Sequence, residues 1–176
     1  MSDGTDSAQL LTEFARSGSE SAFSGLVERH LPLVYGVALR RCCGDHGLAE
    51  EVCQTVFVDL ARKAKSVCGS SSIVGWLHKH CCFVSAKAVR SERRRFRRET
   101  MAMSEIQKDA GPNWDEVGPI LDDALLELNV RDRDALLLRY FDGLTFPEIG
   151  RRIGTGDSGA RMRVDRAIEA LRMGLS

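Results

Sequence analysis

The helical spacing of apolar residues, which recurs in almost every segment, is the feature that most constrains how this chain folds. In "HGLAEEVCQTVFVDLARKAK" the apolar residues Leu48, Val52, Val56 and Leu60 recur every four positions and mark one buried face of a helix. No segment shows the alternation of apolar and polar residues, rich in β-branched side chains, that is typical of a strand. The sequence therefore predicts an all-α fold.

The helical pattern fades over residues 99–118, in "ETMAMSEIQKDAGPNWDEVG". This stretch is rich in acidic residues and contains Pro112, and Pro119 follows it directly. Such a composition is typical of a connecting segment. We therefore expect two small helical domains, residues 6–98 and 119–176, joined by a flexible linker over residues 99–118.

Capping residues predict where the helices of the first domain begin. Asp6 or Ser7, then Ser19, then Asp45 each precede a helical segment and can accept hydrogen bonds from its first free N–H groups. Pro32 lies inside the second segment and is expected to kink or break it. A long helix follows the loop "CGSSS" and continues to about residue 98.

The second domain ends in a helix-turn-helix pattern. Thr145 and Glu148 form a capping box, with Pro147 in the first turn of the helix that they open. Gly154 and Gly156 supply a tight turn before the last helix, "DSGARMRVDRAIEALR". The inward stripe of that helix is predicted to be Ala160, Val164, Ala167 or Ile168, and Leu171.

The outward face of the last helix is suited to reading duplex DNA. A recognition helix inserts into the major groove, where arginine is the natural partner of guanine. The candidate reading residues are Ser158, Arg161, Met162, Arg163, Asp165 and Arg166. Arg151 and Arg152 lie at the margin, where they would hold phosphates, as would Arg166. The alternative is an ordinary antiparallel helix pair with a charged surface.

The net charge of zero conceals two basic zones separated by an acidic one. Residues 60–98 carry 11 basic and one acidic side chain, and residues 149–176 carry six basic and three acidic ones. Residues 1–59 have 4 basic and 9 acidic side chains, and residues 99–148 have 4 basic and 12 acidic. Two basic zones in a neutral chain indicate two separate contacts with a polyanion.

The end of the long helix is crowded with arginine. Six of the nine residues from position 90 to 98 are arginines: Arg90, Arg93, Arg94, Arg95, Arg97 and Arg98. Trp76, His78 and Phe83 lie upstream on the same helix. Proteins bind single-stranded DNA with such groups, because bases stack on aromatic rings and cations neutralise phosphates. Two alternatives remain: the arginine run is a solvated helix surface, and Trp76 and Phe83, seven residues apart, belong to the core.

The cysteines are predicted to be structural. There are six of them, Cys42, Cys43, Cys53, Cys68, Cys81 and Cys82, and none forms a C-x-x-C pair. Buried cysteine packs as a small apolar residue, and a reducing cytosol disfavours disulfides. A zinc site or redox switch in "HKHCC", residues 78–82, is the alternative, but neighbours on a helix point in different directions. We predict no metal and no cofactor.

The sequence carries no signature of an enzyme or of a membrane protein. It contains no glycine-rich phosphate loop, no H-E-x-x-H motif and no nucleophile with a base nearby. Apolar runs such as "ALLL" at 135–138 are far shorter than the roughly 20 residues that cross a bilayer. The acidic start "MSDGTDSAQ" is not typical of a signal peptide. We expect a cytoplasmic protein with no enzymatic activity and no membrane insertion.

Two long stretches carry a family resemblance. The first is "SAFSGLVERHLPLVYGVALRRCCGDHGLAEEVCQTVFVDLARKA", followed by "GWLHKHCC". The second is "LLELNVRDRDALLLRYFDGLTFPEIGRRIG", followed by "ARMRVDRAIEALR". They resemble, in this order, regions 2 and 4 of the bacterial extracytoplasmic-function (ECF) RNA polymerase sigma factors of the sigma-70 family. The resemblance covers about residues 19–98 and 122–173.

The resemblance implies an alternative sigma factor, which binds core RNA polymerase and directs promoter recognition, DNA melting and transcription initiation. It implies that the last helix reads the −35 element of promoter DNA as duplex, and that an anti-sigma factor is a further partner. It implies polymerase contacts at Glu50, Glu51, Gln54 and Phe57, although Phe57 is alternatively a core residue. It assigns the melted −10 element to Trp76, His78, Lys79, Phe83 and Lys87.

The chain departs from the family pattern at several of these positions. Phe83 and Lys87 stand where members often carry Asn and Asp, so the usual −10 preference is not expected. Gly156 stands where Ser usually caps the recognition helix, and Gly159 stands where the contact residues usually begin. The −35 sequence is therefore not predictable. The alternative function is a stand-alone helix-turn-helix transcriptional regulator that never meets polymerase.

Overall fold

A computed structural model describes residues 7–70, 72–100 and 114–174. Throughout those ranges the regular secondary structure is α-helical, so the all-α prediction is confirmed. The helices are α1 (Ser7–Ser17), α2 (Glu20–Arg41), α3 (His46–Val67), α4 (Ile73–Thr100), α5 (Trp114–Glu127), α6 (Val130–Tyr140), α7 (Phe146–Ile153) and α8 (Asp157–Gly174). Among these helices, none is both long and apolar enough to cross a membrane.

Helices α1 to α4 pack together as the first bundle. The helix starts predicted at Ser19 and Asp45 are confirmed, because the Ser19 hydroxyl accepts from the Ala22 N–H at 3.3 Å and Asp45 accepts from the Leu48 N–H at 3.0 Å. The apolar faces then meet in one core, as the four-residue spacing predicts. The large side chains that are almost completely buried in it include those of Leu26, Val34, Val37, Val52, Val56, Leu60 and Leu77.

Of the two outcomes expected at Pro32, a break is not found, since α2 continues from Glu20 to Arg41. Proline removes one helical hydrogen bond, the one to the carbonyl four residues earlier. That carbonyl belongs to Glu28, an exposed residue. Leu26 and Val34, both fully buried, hold the two halves of α2 against the bundle. Packing on both sides therefore outweighs the loss of one bond.

Helices α7 and α8 form the predicted helix-turn-helix. The capping box is confirmed, since the Thr145 N–H donates to the Glu148 carboxylate at 2.7 Å. Gly154 ends α7 at a φ of 73°, in the left-handed region that glycine adopts without strain. The turn packs closely, because a Cβ on Gly150 would lie 2.7 Å from the Thr155 carbonyl oxygen. The buried residues of α8 are Ala160, Val164 and Ala167.

Helices α5 and α6 join the second unit to the first. α5 packs against α2, and α6 lies between α4 and α8, which explains why even its charged residues are buried. The predicted linker, residues 99–118, falls largely on residues 101–113, which lie outside the described residues. Both ends of the predicted linker overlap helix, because α4 extends to Thr100 and α5 begins at Trp114.

Asp122 of α5 lies at the centre of the contact between the units and is fully buried. Arg40 of α2 donates to both of its carboxylate oxygens, at 3.1 and 2.9 Å, and His78 Nε2 of α4 lies 3.2 Å from Oδ1. Burial alone would raise the pKa of Asp122, but the bonds from His78 and Arg40 outweigh it and hold the pKa below its usual value. A charged carboxylate therefore ties α5 to two helices of the first bundle.

Candidate nucleic-acid interface

Helix α8 presents most of its predicted reading residues to solvent. Ser158, Arg161, Met162, Asp165 and Arg166 are exposed, and Arg163 is half-buried. In α7, Arg151 is exposed and Arg152 is half-buried. This accessible surface on one side of α8, opposite a buried stripe of small apolar residues, is the arrangement that a recognition helix requires.

Three arginines of α8 are held by side chains of α6 and α7. Arg163 Nη1 donates to Asp132 Oδ1 at 2.7 Å, and Arg166 Nη1 lies 3.7 Å from the other oxygen of the same carboxylate. The guanidinium carbon of Arg161 lies 4.6 Å from the centre of the Phe146 ring, within the range of a cation–π contact. Asp132 and Phe146 were not predicted, because only the tertiary structure brings them to the recognition helix.

A polar cleft of about 580 Å³ opens beside α8. It is lined by Arg131 of α6, Arg152 of α7 and Arg163 of α8, together with Asn129 and Asp134. Three guanidinium groups from three helices suit the backbone phosphates that flank a base contact. Arg131 is a candidate phosphate residue that the sequence analysis missed, because a single arginine at the start of a helix gives no signal of its own.

The predicted −10 face of α4 carries a ladder of rings. The Trp76 and His80 rings stack with centres 4.6 Å apart, and Phe83 follows with its centre 6.3 Å from that of His80. Phe83 is 63% exposed, so the alternative that it belongs to the core is wrong, whereas Trp76 is half-buried against the core. His80 was missed in the sequence; its Nε2 lies 2.8 Å from Asp59 of α3, a bond that fixes the ring. Lys79 and Lys87, on the same helix as the rings, are exposed cations.

His78 does not belong to this face, and its assignment to the −10 element is corrected here. Its ring is 1% exposed and bonds to Asp122 beneath α5. His78 lies two residues after Trp76, a spacing that on a helix turns its side chain away from the aromatic ladder and into the contact between the units. DNA cannot reach His78 in this arrangement.

The arginine run lies on the surface at the end of α4. Its six members, Arg90, Arg93, Arg94, Arg95, Arg97 and Arg98, are all exposed. Arg90 Nε donates to the Ala86 carbonyl at 3.1 Å, so part of the run lies along its own helix. Phe96, within the run, is 64% exposed. This surface has the charge and accessibility for a phosphate contact. A run of arginines that is only solvated would be exposed in the same way, so both interpretations stay open.

An apolar groove of about 1010 Å³ runs between α2 and α3. Leu31 and Val58 line it and are 42% and 46% exposed, which is high for large apolar side chains. Three of the four residues predicted to contact polymerase, Glu50, Gln54 and Phe57, line the same groove, although Phe57 is largely buried. Glu51 is exposed but does not line it.

The cysteines divide into four buried residues and two exposed ones, Cys43 and Cys68. Burial raises the pKa of Cys42 and Cys53 to about 11 and that of Cys82 to about 12, so these thiols stay protonated at neutral pH. This supports their predicted packing as small apolar groups.

The His78, Cys82 and Asp122 side chains place possible metal-ligand atoms within 4.8 Å of one another. Both oxygens of Asp122 already accept from Arg40, and an ion would have to displace that guanidinium. The predicted absence of a metal remains a prediction.

Comparisons with known proteins agree with this arrangement of two helical units. The family model for sigma-70 region 2 matches residues 26–95, and the model for sigma-70 region 4 matches residues 119–171. The RNA polymerase sigma factor CarQ of Myxococcus xanthus is 30% identical over 161 residues, which cover 89% of this chain and 91% of CarQ. The ECF RNA polymerase sigma factor SigK of Mycobacterium ulcerans is 27% identical, with coverage of 93% and 90%.

A solved structure of CnrH, in complex with the cytosolic domain of CnrY, aligns over 96% of both chains with a TM-score of 0.44 and 19% identity.

The two matched regions therefore define a bacterial transcription initiation factor. The chain belongs to the sigma-70 family, in its ECF group. It is an alternative sigma factor, which binds core RNA polymerase and directs promoter-specific initiation.

Proposed function

We propose that the chain selects promoters through two DNA surfaces and docks on polymerase through a third, and that it makes or breaks no covalent bond itself. The observation that carries this proposal is that the residues matching each sigma region fall on three accessible surfaces. These surfaces are the outer face of α8, the aromatic and basic face of α4, and the groove between α2 and α3.

The −35 element is assigned to α8 as duplex DNA. Arg161, Arg163 and Arg166 are the best candidates for base and phosphate contacts, because guanidinium donors match guanine edges and phosphate oxygens. Ser158, Met162 and Asp165 complete the reading face. Arg151, Arg152 and Arg131 then hold the flanking backbone.

The −10 element is assigned to the exposed ladder on α4. Phe83 offers an open ring on which an unstacked base can lie, and Trp76 and His80 continue the stack toward the bundle. Lys79 and Lys87 supply charge for the phosphates of the separated strand. Stacking and charge neutralisation together offset part of the free energy of strand opening.

The α2–α3 groove is assigned to core polymerase. Exposed apolar side chains at the centre and polar ones at the rim are typical of an interface core with its surrounding ring. Leu31 and Val58 supply the centre, and Glu50 and Gln54 lie beside them. Glu51 is assigned to the rim outside the groove.

The protein's location and its negative regulation are also proposals. Cytoplasmic residence follows from its work with polymerase and DNA. An anti-sigma factor is proposed as a partner because the family resemblance implies one, and the accessible α2–α3 groove would allow such a factor to compete with polymerase.

A pull-down with core polymerase, followed by run-off transcription, tests the assignment. The chain should form a 1:1 complex with core enzyme and produce promoter-dependent transcripts, while binding promoter duplex poorly on its own. A chain that binds duplex tightly alone, forms no complex and yields no transcript would instead be a stand-alone regulator.

Replacing Arg93, Arg94 and Arg95 by alanine should lower the affinity of holoenzyme for all promoters alike. If each guanidinium neutralises one phosphate, the slope of log affinity against log salt should become less steep by about 2.7. Filter binding of holoenzyme to several promoters at a series of salt concentrations measures this change. Loss at one promoter sequence only would show that the run reads bases, and an unchanged slope would identify it as a solvated surface.

A further inference from the structure

Asp132 stands out because a buried carboxylate outside the recognition helix pairs with two of that helix's arginines. Its side chain is 7% exposed, and those of Arg163 and Arg166 are 24% and 59% exposed. The two arginines are three residues apart, so they are neighbours on one face of α8. The carboxylate gives one oxygen to each, at 2.7 and 3.7 Å.

This contact fixes the arginine closest to the carboxylate while leaving it able to bind DNA. A guanidinium has five N–H donors, and the bond to Asp132 uses one of those on Arg163. The side chain of a free arginine has many rotamers, and ordering them on binding opposes association. An arginine that is already oriented loses less entropy, and its remaining donors point in fixed directions that match some base edges and not others.

A cation–π contact orients another arginine of α8, which supports this interpretation. The Phe146 ring lies beneath Arg161, and Arg139 lies 4.9 Å from the same ring centre. Arg139 is itself fixed, since its Nη1 donates to the Leu144 carbonyl at 3.0 Å. The recognition arginines are thus oriented from α6 and α7, not by α8 alone.

We propose that Asp132 is a positioning residue for promoter recognition, which orients Arg163 and Arg166 before DNA arrives and so sharpens sequence discrimination without touching a base. The proposal rests on the assignment of α8 to the −35 element. It predicts an unusual pattern: removing this negative charge near the DNA should favour non-specific binding while it lowers specificity.

The test uses holoenzyme reconstituted from core polymerase and the full chain. Preferred −35 sequences are first selected from randomised duplexes with the wild type, and binding to the selected and a scrambled −35 sequence is then compared. For Asp132→Asn we expect the ratio of the two affinities to fall about 3- to 10-fold, within what one arginine–base contact contributes. Affinity for the scrambled sequence should stay equal or rise about twofold.

Glu169→Gln is the matched control, because it also removes one negative charge. Glu169 lies on α8 itself and pairs with Arg172, at 3.7 Å, and not with a recognition arginine. The Glu169→Gln variant should leave the ratio unchanged. Asp132→Glu keeps the charge but shifts the carboxylate, and it should fall between wild type and Asp132→Asn. Phe146→Leu, which keeps an apolar side chain at this site, should also lower the ratio by releasing Arg161.

The results of this binding experiment distinguish a failure of the Asp132 proposal from a failure of the assignment of α8 to the −35 element. The positioning role is wrong if the wild type prefers the selected −35 sequence and both Asp132→Asn and Asp132→Glu keep the same affinity ratio as the wild type. An equal loss in Glu169→Gln would also overturn it, because charge alone would then explain the effect. If the wild-type holoenzyme shows no −35 preference at all, the assignment of α8 fails, and the role of Asp132 fails with it.

Discussion

Asp122→Asn is expected to release the second unit from the first bundle. The substitution keeps the shape of the side chain but removes the charge that Arg40 and His78 face. Breaking a buried pair leaves its partner charged and poorly solvated, and costs about 3–5 kcal/mol. Because the Arg40 side chain is 35% exposed and can turn to water, we expect the lower end, about 3 kcal/mol, in the free energy of packing.

Small-angle scattering and urea unfolding measure the effect. Asp122→Asn should increase the radius of gyration and separate one unfolding transition into two. The matched control is Asp123→Asn, the next residue along α5, whose carboxylate is 59% exposed and accepts from Arg41 at 2.7 Å. Asp123 is itself exposed, but the Arg41 side chain is only 15% exposed, so this variant should cost less than Asp122→Asn and should keep a single unfolding transition. If Asp122→Asn and Asp123→Asn behave alike, the bonds of Asp122 to Arg40 and His78 do not hold the units together.

The pH of the experiment follows from the lowered pKa of Asp122. A carboxylate whose folded pKa lies below its unfolded value of about 3.9 contributes its full stabilisation above that value. The contribution is lost as the pH falls through the folded pKa. Neutral buffer therefore shows the full difference between Asp122→Asn and the wild type, and the difference should shrink in acid.

Leu31→Asp combined with Val58→Asp is expected to abolish tight binding to core polymerase. Both side chains are exposed in the α2–α3 groove, where a carboxylate would have to be desolvated on docking. Truncation at the centre of an interface commonly costs 2 kcal/mol or more, which corresponds to a loss of affinity of about 30-fold or greater. Fluorescence anisotropy of labelled chain against core enzyme measures this loss.

Met173→Asp controls for a charge placed on an exposed apolar residue. Met173 is 75% exposed near the end of α8, outside the surface assigned to polymerase. It should bind core enzyme as the wild type does, and unchanged circular dichroism should show that the double variant is folded. Wild-type affinity in the folded double variant would mean that polymerase does not use the groove.

Local signals in the sequence predicted the helices well where the deciding interaction is itself local. Ser19, Asp45, Thr145 and Glu148 cap helices with their own neighbours, so the residue pattern is sufficient. Pro32 is the instructive exception: the local rule allowed a break, and packing of α2 on both sides of the proline kept the helix whole.

The candidate sites divide in the same way. Exposed residues on the outward face of α8, such as Arg161, were predicted because helical periodicity sets which way they point, whereas for Phe83 the spacing left a core position open. His78 was misassigned because its partner, Asp122, is 44 residues away and belongs to the other unit. His80, Asp132 and Phe146 were missed for the same reason: each acts through a residue on a different helix.

The sequence by itself determined the all-α class and the basic character of α4 and α8, because periodicity, capping and composition depend on near neighbours. The order of the two sigma regions came from the resemblance of two stretches of the sequence to a known family. Only the tertiary structure decided that Asp122 is buried between the units, that Leu31 and Val58 share a groove with Gln54, and that Asp132 holds Arg163. Contacts between distant residues depend on how whole helices pack, and a single helical face is compatible with many partners.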